Sequence, residues 1–403
     1  MNCHVIGVPY AKVTKEMVWD AFTYKQYKFM KMMYGKPDMK FIYYGHEDSE
    51  VDCDEFVPCI DDEVLINSYG KVDSSYYWRG NHIDDYAHLT MNKNASKHIL
   101  NNWSNGDMIL NFWQVAGMSL YEKYGLPYEN MVDVGHGSEI LPISKYVSYE
   151  SYWLYAYLWG KKQANENLTP AIRDVEYHAI TPLMTEMNDF TFQKEKGDYY
   201  LFFSRVIPLK GIGIVMLLSE LEPDKKFIIA GYKGGTEDHL MYYDYNGVRY
   251  GFDDVIKRDN VEYLGGVYDP KIKNELYMNA KALLMCSAYG EPFGGTVTEA
   301  HACGTPVISV DWGAFKENNP HGFTGLHCRT MSDWRVALER IDEIRPENCR
   351  KFAEDNYSLE VVSCIYENYL RRCYDWINGK GDIDKETSYR LLNHRNIQGC
   401  QYI

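Results

Sequence analysis

The chain has 403 residues, of which 45% are hydrophobic and 25% charged, which is the composition of a folded globular protein and not of a disordered one. Its formal net charge of −15 argues against a nucleic-acid footprint that covers the molecule, because such surfaces are basic. The length predicts two or three domains. The sequence contains no apolar run of about 18 residues, so it predicts no membrane-spanning helix.

The first residues, MNCHVIGVPY, contain neither a charged leader nor a cleavage site, which predicts an untargeted cytoplasmic protein. The ten cysteines include no C-x-x-C pair, so we expect reduced structural thiols and no zinc site. They stand at positions 3, 53, 59, 286, 303, 328, 349, 364, 373 and 400.

Strand and helix patterns alternate from the beginning of the chain. Residues 2–8 predict a buried strand, residues 13–35 a helix closed by Gly35, and residues 39–45 a second strand. This βαβ start predicts a parallel sheet whose strand ends face a ligand crevice. The following residues, 46–86, are acidic and irregular and give no assignment.

The alternation continues to about residue 180. Strands are expected at 107–113 and 130–135, followed by a tyrosine-rich helix at about 147–164. The stretch NDFTFQKEKGD (188–198) then has the composition of a linker.

After this linker the alternation restarts, ending in an amphipathic helix at 357–379 that stops at Gly379. We therefore expect two Rossmann-like α/β domains, residues 1–190 and 191–356, facing each other across a cleft, with residues 357–403 crossing back to the first domain. The second half is predicted to have strands at 199–204, 226–231, 261–265, 281–287 and 305–310, the last closing the series, and helices at 211–221 and 270–280.

The turn SRVIPLKG follows the first strand of the second half. Arg205 and Lys210 flank a proline-stiffened turn at the carboxyl end of a parallel strand, where open α/β sheets bind ligands. Two cations there suit a diphosphate, since Arg binds phosphate oxygens bidentately and Lys acts as a point charge. The alternative is a pair of solvated charges at the start of a helix.

A glycine-rich loop, SAYGEPFGGTVTEAHACG, follows a buried strand and opens a helix near Thr296. We expect the backbone N–H groups of Gly295, Thr296 and Val297 to be unpaired donors at this helix start. The two adjacent glycines, Gly294 and Gly295, allow a ligand to approach the backbone closely. No Gly-Lys-Ser/Thr follows, which disfavours nucleoside triphosphate hydrolysis.

Two carboxylates lie on either side of these glycines, Glu291 in the loop and Glu299 in the first turn of the expected helix. A carboxylate accepts hydrogen bonds from vicinal hydroxyls, so the pair suits a ribose on one side and a sugar on the other. For Glu299 a capping box with Thr296 is the structural alternative.

Taken together, SRVIPLKG, KFIIAG, VEYLGGVYD and EPFGGTVTEAHACGTPVI resemble the donor-binding half of the retaining glycosyltransferases of family four, which have the GT-B fold. The resemblance covers the second half strongly and the first half loosely. TKE (14–16), ESY (150–152) and GTPVISVDWGAFKEN are most similar to a branch encoded by phages and viruses.

The resemblance implies transfer of a sugar, with retention, from a UDP- or GDP-linked donor to an acceptor hydroxyl, with no cofactor and no metal. It implies a carbohydrate acceptor, on a viral or host glycan, or a hydroxymethylated base of viral DNA. A viral protein of this kind would act in the cytoplasm of its host cell.

The resemblance also implies roles for residues. Arg205 and Lys210 would hold the diphosphate and stabilise the leaving group, Glu299 would hold the ribose, and Glu291 would contact the donor sugar and stabilise its positive charge. The remaining donor contacts would come from the backbone of Phe293, Gly294, Gly295 and Thr296 and, at the base, from Val267 and Asp269.

In the first half the resemblance offers Gly7, after the first strand, and His136, in DVGHGSE, as cleft residues. A structural or surface histidine is the alternative for His136, and the glycine-rich signature around Gly7 is reduced to GVPYAKVTK.

Three other interpretations remain open. A metal-dependent transferase would use a D-x-D pair, which occurs at Asp52 and Asp54 and at Asp382 and Asp384 in acidic stretches. A nucleotide-sugar epimerase or hydrolase would bind the donor through the same residues but catalyse a different reaction. An inactive donor-binding module would bind the donor and catalyse no reaction.

Overall fold

A computed structural model describes residues 1–17, 20–70, 85–113, 117–164, 177–234 and 241–380. The chain divides into two units. Unit 1 comprises Met1–Met184 together with Leu359–Ile403, and unit 2 comprises Thr185–Ser358. Unit 1 is therefore built from both ends of the chain, and unit 2 from the segment between them.

Unit 1 contains one sheet of seven strands in the order β3-β2-β1-β4-β5-β6-β7, all of them parallel. Its strands are β1 (Asn2–Ile6), β2 (Lys40–His46), β3 (Glu55–Ile60), β4 (Met108–Asn111), β5 (Met131–His136), β6 (Tyr146–Tyr149) and β7 (Tyr177–Ile180). Its helices are α1 (Ala21–Met33), α2 (Asp62–Tyr69), α3 (Tyr86–Asn102), α4 (Met118–Glu122), α5 (Tyr152–Ala164) and, from the end of the chain, α13 (Leu359–Ile377).

Unit 2 contains a sheet of six parallel strands in the order β12-β9-β8-β13-β14-β15 and a separate antiparallel hairpin, β10-β11. The strands are β8 (Tyr199–Phe203), β9 (Lys226–Ala230), β10 (Tyr242–Tyr245), β11 (Val248–Gly251), β12 (Val261–Gly265), β13 (Ala282–Met285), β14 (Val307–Val310) and β15 (Gly325–Cys328). The helices are α6 (Ile212–Leu221), α7 (Phe252–Val255), α8 (Pro270–Asn279), α9 (Gly295–Ala302), α10 (Phe315–Asn318), α11 (Met331–Arg340) and α12 (Pro346–Tyr357).

Both sheets have the strand order of the doubly wound Rossmann fold. In each, the first strand of the unit pairs with the second on one side and with a later strand on the other, so that the direction of winding reverses beside it. This confirms two Rossmann-like domains. The reversal lies between β1 and β4 in unit 1 and between β8 and β13 in unit 2.

The helix at the end of the chain belongs to unit 1 and contacts α1. The ring of Tyr366 lies edge-on to that of Phe29, with centroids 5.2 Å apart, inside the apolar core. Tyr369 and Leu370 are buried in the same core. The α13 helix ends before Gly379, whose φ is 66°.

Three expectations about elements were wrong. The first helix begins at Ala21 and not at residue 13, because the side chain of Asp20 accepts hydrogen bonds from the N–H groups of Phe22 and Thr23 and so caps it there. The tyrosine-rich segment at 147–164 contains the buried strand β6 before α5 begins. Residues 305–310 do not close the series, since β15 pairs alongside β14.

Residues 46–86, which gave no assignment from sequence, contain β3 and α2, while residues 71–84 lie outside the described ranges. The cysteines of the described ranges are all free thiols, as expected, and Cys400 lies outside those ranges. Among the helices that the structure describes, none combines the length and the apolar composition needed to cross a bilayer.

Candidate functional site

The reversal of winding in unit 2 places two loops side by side. One follows β8 and carries Arg205 and Lys210; the other follows β13 and carries Glu291. In open α/β sheets the crevice at this point, outside the carboxyl ends of the strands, is where ligands bind. Arg205, Lys210 and Glu291 therefore lie on the two loops that the fold brings together.

These two loops are joined through their backbones. The N–H of Ala288 donates to the carbonyl of Leu209 at 2.9 Å. Gly211 has a φ of 75°, and a Cβ at this position would lie 1.9 Å from the carbonyl oxygen of Cys286. Only glycine allows the first loop to approach the end of β13 this closely, so the spacing of the two loops depends on Gly211.

Lys210 and Glu291 form an ion pair across these loops. Lys210 Nζ lies 3.0 Å from both carboxylate oxygens of Glu291. The side chains are only 13% and 10% exposed, so the pair is largely removed from water. In this setting each charge depends on the other, because an unpaired buried charge is costly.

Two hydroxyl groups complete the hydrogen bonding of the Glu291 carboxylate. Ser287 Oγ donates to Oε2 at 2.9 Å, and Tyr289 Oη donates to Oε1 at 2.9 Å. The Tyr289 hydroxyl also accepts a hydrogen bond from Lys210 Nζ at 2.7 Å. Ser287 and Tyr289 lie within the glycine-rich stretch but were not among the predicted site residues. Serine and tyrosine are common in loops, so the sequence pattern does not distinguish them.

The loop after β14 holds the backbone of Glu291 from the other side. The N–H of Ala314 donates to the Glu291 carbonyl at 3.0 Å, and a Cβ on Gly313, whose φ is 67°, would lie 2.7 Å from the Glu291 nitrogen. Trp312 Nε1 lies 3.1 Å from the carbonyl of Ser287 and 3.2 Å from that of Tyr289. The carboxylate is thus fixed at both its side chain and its backbone.

The helix α9 begins directly after this loop. Its N-cap is Gly294, with φ 81° and ψ 68°, and no side chain caps it. The N–H of Val297 donates to the Gly294 carbonyl at 2.9 Å, so the expectation that Val297 offers an unpaired donor was wrong. The helix starts one position earlier than expected, which leaves its partial positive charge at Gly295 and Thr296.

Glu299 lies in the second turn of α9 and not in the first. Its Oε1 accepts from Lys273 Nζ at 2.7 Å and its Oε2 from Tyr277 Oη at 3.1 Å, both side chains being on α8. The capping-box alternative was wrong, because the Thr296 hydroxyl donates to the sulfur of Met285 and the helix is capped at Gly294. Sequence reasoning missed Lys273, which looks like an ordinary surface lysine of α8.

The other candidate donor residues have structural neighbours. The Phe293 ring is buried against Tyr357, with centroids 5.5 Å apart, and its carbonyl accepts from Asn318 Nδ2. Val267 packs against the apolar core of unit 2. Asp269 is exposed and caps α8 by accepting from the N–H of Lys271 at 2.8 Å, which is a sufficient structural reason for an aspartate there.

The two candidates of unit 1 are both buried. His136 ends β5, and its Nε2 lies 2.8 Å from the carbonyl of Ile140, so the surface alternative was wrong. Burial lowers the pKa of His136 to about 4, which keeps the ring neutral at neutral pH. The backbone N–H of Gly7 donates to the Tyr44 carbonyl, and a Cβ at Gly7 would meet the Tyr43 hydroxyl at 2.6 Å. Packing therefore explains the glycine without a ligand.

Aromatic rings lie near the point where the winding of the unit 1 sheet reverses, beside the ends of β1 and β4. Tyr10, after β1, and Phe22, on α1, both contact the ring of Trp113, after β4, with centroids 4.9 Å and 5.1 Å away. Trp113 Nε1 donates to His88 Nε2 at 2.8 Å, and the other ring nitrogen of His88 lies 2.8 Å from Asp85 Oδ1. At the carboxyl ends of its strands, unit 1 thus carries aromatic rings packed against one another, where unit 2 carries charged side chains.

One group of three metal-ligating residue types comes together within the described ranges, at His46, Asp48 and Asp62. The Nδ1 of His46 accepts from the Asp48 N–H at 3.1 Å, and its Nε2 lies 3.2 Å from Asp62 Oδ1. Asp48 and Asp62 are both exposed, and exposed acidic groups of this kind are common without a metal ion.

The D-x-D pairs have separate outcomes. Asp54 Oδ2 accepts a hydrogen bond from the backbone N–H of Phe41 at 2.7 Å. This carboxylate therefore has a structural partner at the start of β2. Asp382 and Asp384 lie outside the described residues.

Comparison with known proteins matches residues 185–357 to the family described as Glycosyl transferases group 1. A D-inositol 3-phosphate glycosyltransferase of Rhodococcus erythropolis is 33% identical over 115 residues, 26% of each chain. An uncharacterized glycosyltransferase of Methanocaldococcus jannaschii is 28% identical over 216 residues, 47% of this chain and 52% of the relative. These matches span from a quarter to about half of the length of the relatives.

Solved structures are similar over nearly the whole chain. The glycosyltransferase AviGT4, involved in avilamycin A biosynthesis, has a TM-score of 0.62 at 15% identity and covers 94% of this chain and 98% of its own. Anabaena HepE in complex with UDP-glucose has a TM-score of 0.62 at 13% identity and covers 92% and 100%. At these identities the likeness concerns the fold, which is the two-domain fold of such glycosyltransferases. Residues 185–357, nearly all of unit 2, are therefore similar to the family described as Glycosyl transferases group 1.

Proposed function

We propose that this protein is a retaining glycosyltransferase that moves a sugar from a UDP- or GDP-linked donor to an acceptor hydroxyl. The observation that carries the proposal is the buried contact of Lys210 with Glu291 at the point where the sheet of unit 2 reverses its winding, beside the start of α9. A cation, a carboxylate and a helix N-terminus in one place offer separate partners to a diphosphate and to a sugar.

The charges of the loops set how the donor would bind. Lys210 is shared with Glu291, so it brings little net positive charge to a diphosphate by itself. Arg205, on the same loop, and the amide end of α9 would supply the remainder. We therefore assign Arg205 and Lys210 to the diphosphate, with Lys210 bridging the phosphate and Glu291.

The Glu291 carboxylate would bind a hydroxyl of the donor sugar. Each of its oxygens has two lone-pair directions, and the protein donors Ser287, Tyr289 and Lys210 do not fill all of them once Lys210 turns toward phosphate. Held in this way, the carboxylate would also stabilise the positive charge that develops on the sugar ring. The backbone of Phe293, Gly294, Gly295 and Thr296 would contact sugar and phosphate, and Val267 and Asp269 would lie near the base.

In the reaction, the bond between the anomeric carbon and the phosphate oxygen breaks while the acceptor oxygen forms a bond to that carbon on the same face. The acceptor proton passes to the departing phosphate oxygen, so that the nucleoside diphosphate and the glycoside are the products. Lys210, Arg205 and the helix end stabilise the charge on the diphosphate, which is the part that a divalent ion plays elsewhere. We propose for this reason that transfer needs no metal and no cofactor.

The donor and acceptor classes follow from separate observations. Similar structures hold UDP or UDP-glucose, which supports a UDP-linked donor. The net charge of −15 favours a carbohydrate acceptor over a nucleic acid, because nucleic-acid-binding surfaces are basic. Three further points stay predictions from sequence. They are a hydroxymethylated base of viral DNA as the alternative acceptor, an origin in the phage and virus branch, and action in the cytoplasm.

A binding and product assay tests the proposal. UDP-glucose, UDP-galactose, UDP-N-acetylglucosamine and GDP-mannose are screened for an increase in Tm, with and without EDTA, since a bound donor stabilises the folded state. We expect at least one to raise the Tm, in EDTA as well, and to do so less in the variant Arg205→Met. No increase with any of them, or an increase that EDTA abolishes, would contradict the proposal.

The products then separate a transferase from the other enzymes that use such donors. The donor that binds is incubated with and without oligosaccharide acceptors, and the nucleotide, free sugar and glycoside are quantified. Acceptor-dependent glycoside formation with retained anomeric configuration supports the proposal. Free sugar without acceptor dependence indicates a hydrolase, an epimerised donor indicates an epimerase, and binding with no product indicates an inactive donor-binding module.

A further inference from the structure

Lys273 is a buried ammonium group whose position the fold alone does not explain. It lies on α8 with only 8% of its surface exposed, and its Nζ is 2.7 Å from Glu299 Oε1. The ring centroids of Phe190, Phe203 and Tyr277 lie 6.0 Å from this nitrogen. Lysine is rarely buried unless it is paired, so Lys273 is at this position for the sake of its charge.

The Glu299 carboxylate is held by two donors on α8, one for each oxygen. Lys273 donates to Oε1, and the Tyr277 hydroxyl donates to Oε2 at 3.1 Å. Burial raises the pKa of Tyr277 well above its usual range, so the hydroxyl keeps its proton and stays a donor. With one donor on each oxygen, the rotation of the carboxylate is fixed, and each oxygen keeps a free lone-pair direction.

A fixed carboxylate with one open acceptor site on each oxygen matches a vicinal diol. Two neighbouring hydroxyl groups donate to the two oxygens of one carboxylate when its plane is fixed in advance. The ion pair with Lys273 also neutralises the charge of Glu299, which would reduce its repulsion of the diphosphate of a bound donor. A lone glutamate would provide neither the fixed plane nor the neutralised charge.

We infer that Lys273 and Tyr277 are positioning residues that aim Glu299 at both ribose hydroxyls of the donor, so that the site selects ribonucleotides over 2′-deoxyribonucleotides. This inference rests on the proposed function and adds the kind of nucleotide that the site takes. A deoxy analogue leaves one acceptor site of a buried carboxylate unpaired. Loss of a hydrogen bond to a charged group lowers affinity by about 10- to 100-fold.

The test compares affinities for UDP and for 2′-deoxy-UDP by calorimetry, with GDP and 2′-deoxy-GDP as the second pair. We expect the wild-type protein to prefer the ribonucleotide by about tenfold or more. In Lys273→Met this preference falls below about threefold, and Lys273→Arg, which keeps the charge, restores most of it. Tyr277→Phe removes one donor only and lowers the preference partially.

The matched control is Lys196, a second lysine of unit 2 whose Nζ is bonded to the carbonyls of Met278 and Cys303 and to the Thr305 hydroxyl, with no carboxylate among these partners. Lys196→Met lowers stability without changing the ribose preference. If Lys273→Met does not fold by circular dichroism, Lys273→Arg and Tyr277→Phe decide the question between them.

The inference and the proposed function fail differently. If wild-type protein binds ribonucleotides without any preference over the deoxy forms, or if Lys273→Met and Tyr277→Phe both keep the full preference, the inference is overturned while the donor site stands. A preference lost equally in Lys196→Met would make the effect one of general stability and would also overturn it. Absence of binding by any nucleoside diphosphate would overturn the proposed function itself.

Discussion

Lys210 and Glu291, 81 positions apart in the chain, form a bidentate ion pair in which the ammonium nitrogen lies 3.0 Å from each carboxylate oxygen. In the proposed function, one of these residues binds the diphosphate and the other the sugar. Because they already contact each other, the diphosphate and sugar sites share a charge. A donor that carries both parts would engage them together, whereas a free sugar would have to compete with the ion pair for Glu291.

Replacing Glu291 by Gln removes the carboxylate charge and keeps the side-chain volume. We expect the rate of sugar transfer to fall by about 100-fold, because the charge that stabilises the sugar cation is lost. Binding of the nucleoside diphosphate without its sugar should change much less, since Lys210 is then released toward phosphate. Steady-state kinetics and calorimetry measure the two effects.

The control for this variant is Glu275→Gln, on the exposed side of α8, which should leave both quantities unchanged. Equal activity of Glu291→Gln and wild type would remove Glu291 from the site.

The hydroxyls of Ser287 and Tyr289 position this carboxylate, so their removal should have graded effects. Ser287→Ala deletes one hydrogen bond to Glu291 and should lower kcat about fivefold, equivalent to about 1 kcal/mol. Tyr289→Phe deletes the bond to Glu291 and the one from Lys210, and should lower kcat more. The ranking is checked by kcat and KM for the donor, and a larger effect of Ser287→Ala would contradict it.

Two glycines of the same segment should respond in opposite ways to alanine. Gly211→Ala places a methyl group 1.9 Å from the Cys286 carbonyl at a φ of 75°, so we expect the free energy of unfolding to fall by about 2 kcal/mol or more. Gly213 lies inside α6, and a Cβ added there would be 3.9 Å from its nearest neighbour. Gly213→Ala should therefore raise the free energy of unfolding by about 0.5 to 1 kcal/mol. Urea denaturation measures both, and equal effects would show that the close approach at Gly211 is not rigid.

His136 makes unit 1 sensitive to acid. Burial lowers its pKa from 6.5 to about 4 in the folded state. Between these values the unfolded chain binds a proton that the folded chain does not, so stability is complete above pH 6.5 and decreases as the pH falls toward 4. The loss attributable to this group is about 3 kcal/mol at most.

Urea denaturation at several pH values measures this slope. His136→Gln should reduce the slope over this range without abolishing it, because burial also lowers the pKa of His4 and His301. His98→Gln, at a half-buried position on α3, should leave the slope in place. A slope that is unchanged in His136→Gln would assign the acid sensitivity to other groups.

The sequence predicted the elements of unit 2 well because its buried strands are short apolar runs between clear turn signals. Its candidate residues were predicted from the position of loops after strands, and the order of the strands then brought Lys210 and Glu291 into contact. The contact itself could not be predicted, since it depends on Gly211 allowing the two loops to approach.

The errors in the second half have local causes. The start of α9 was placed too late because Gly294 adopts a left-handed conformation that a side-chain pattern does not show. The strand β15 was missed because its sequence, GLHC, contains a glycine and a histidine and so lacks the apolar run that marks β13 and β14.

The least predictable contacts are those that depend on tertiary packing. Lys273 belongs to a helix whose sequence is mixed polar and apolar, and only the packing of α8 against α9 makes its ammonium group a buried partner of Glu299. In unit 1 the segment at 147–164 looked uniformly helical because tyrosine occurs in both strands and helices. Tyrosine spacing could not separate β6 from α5.

The division of unit 1 between the two ends of the chain has a consequence during synthesis. Val362, Tyr366 and Tyr369 fill its core from α13, yet they leave the ribosome after all of unit 2. The amino-terminal half must therefore wait with an uncovered apolar surface while more than 170 further residues are translated. For that interval the uncovered apolar surface is of the kind that chaperones bind. A chain truncated directly before α13 would contain all of unit 2 but would lack the part of the core of unit 1 that α13 supplies.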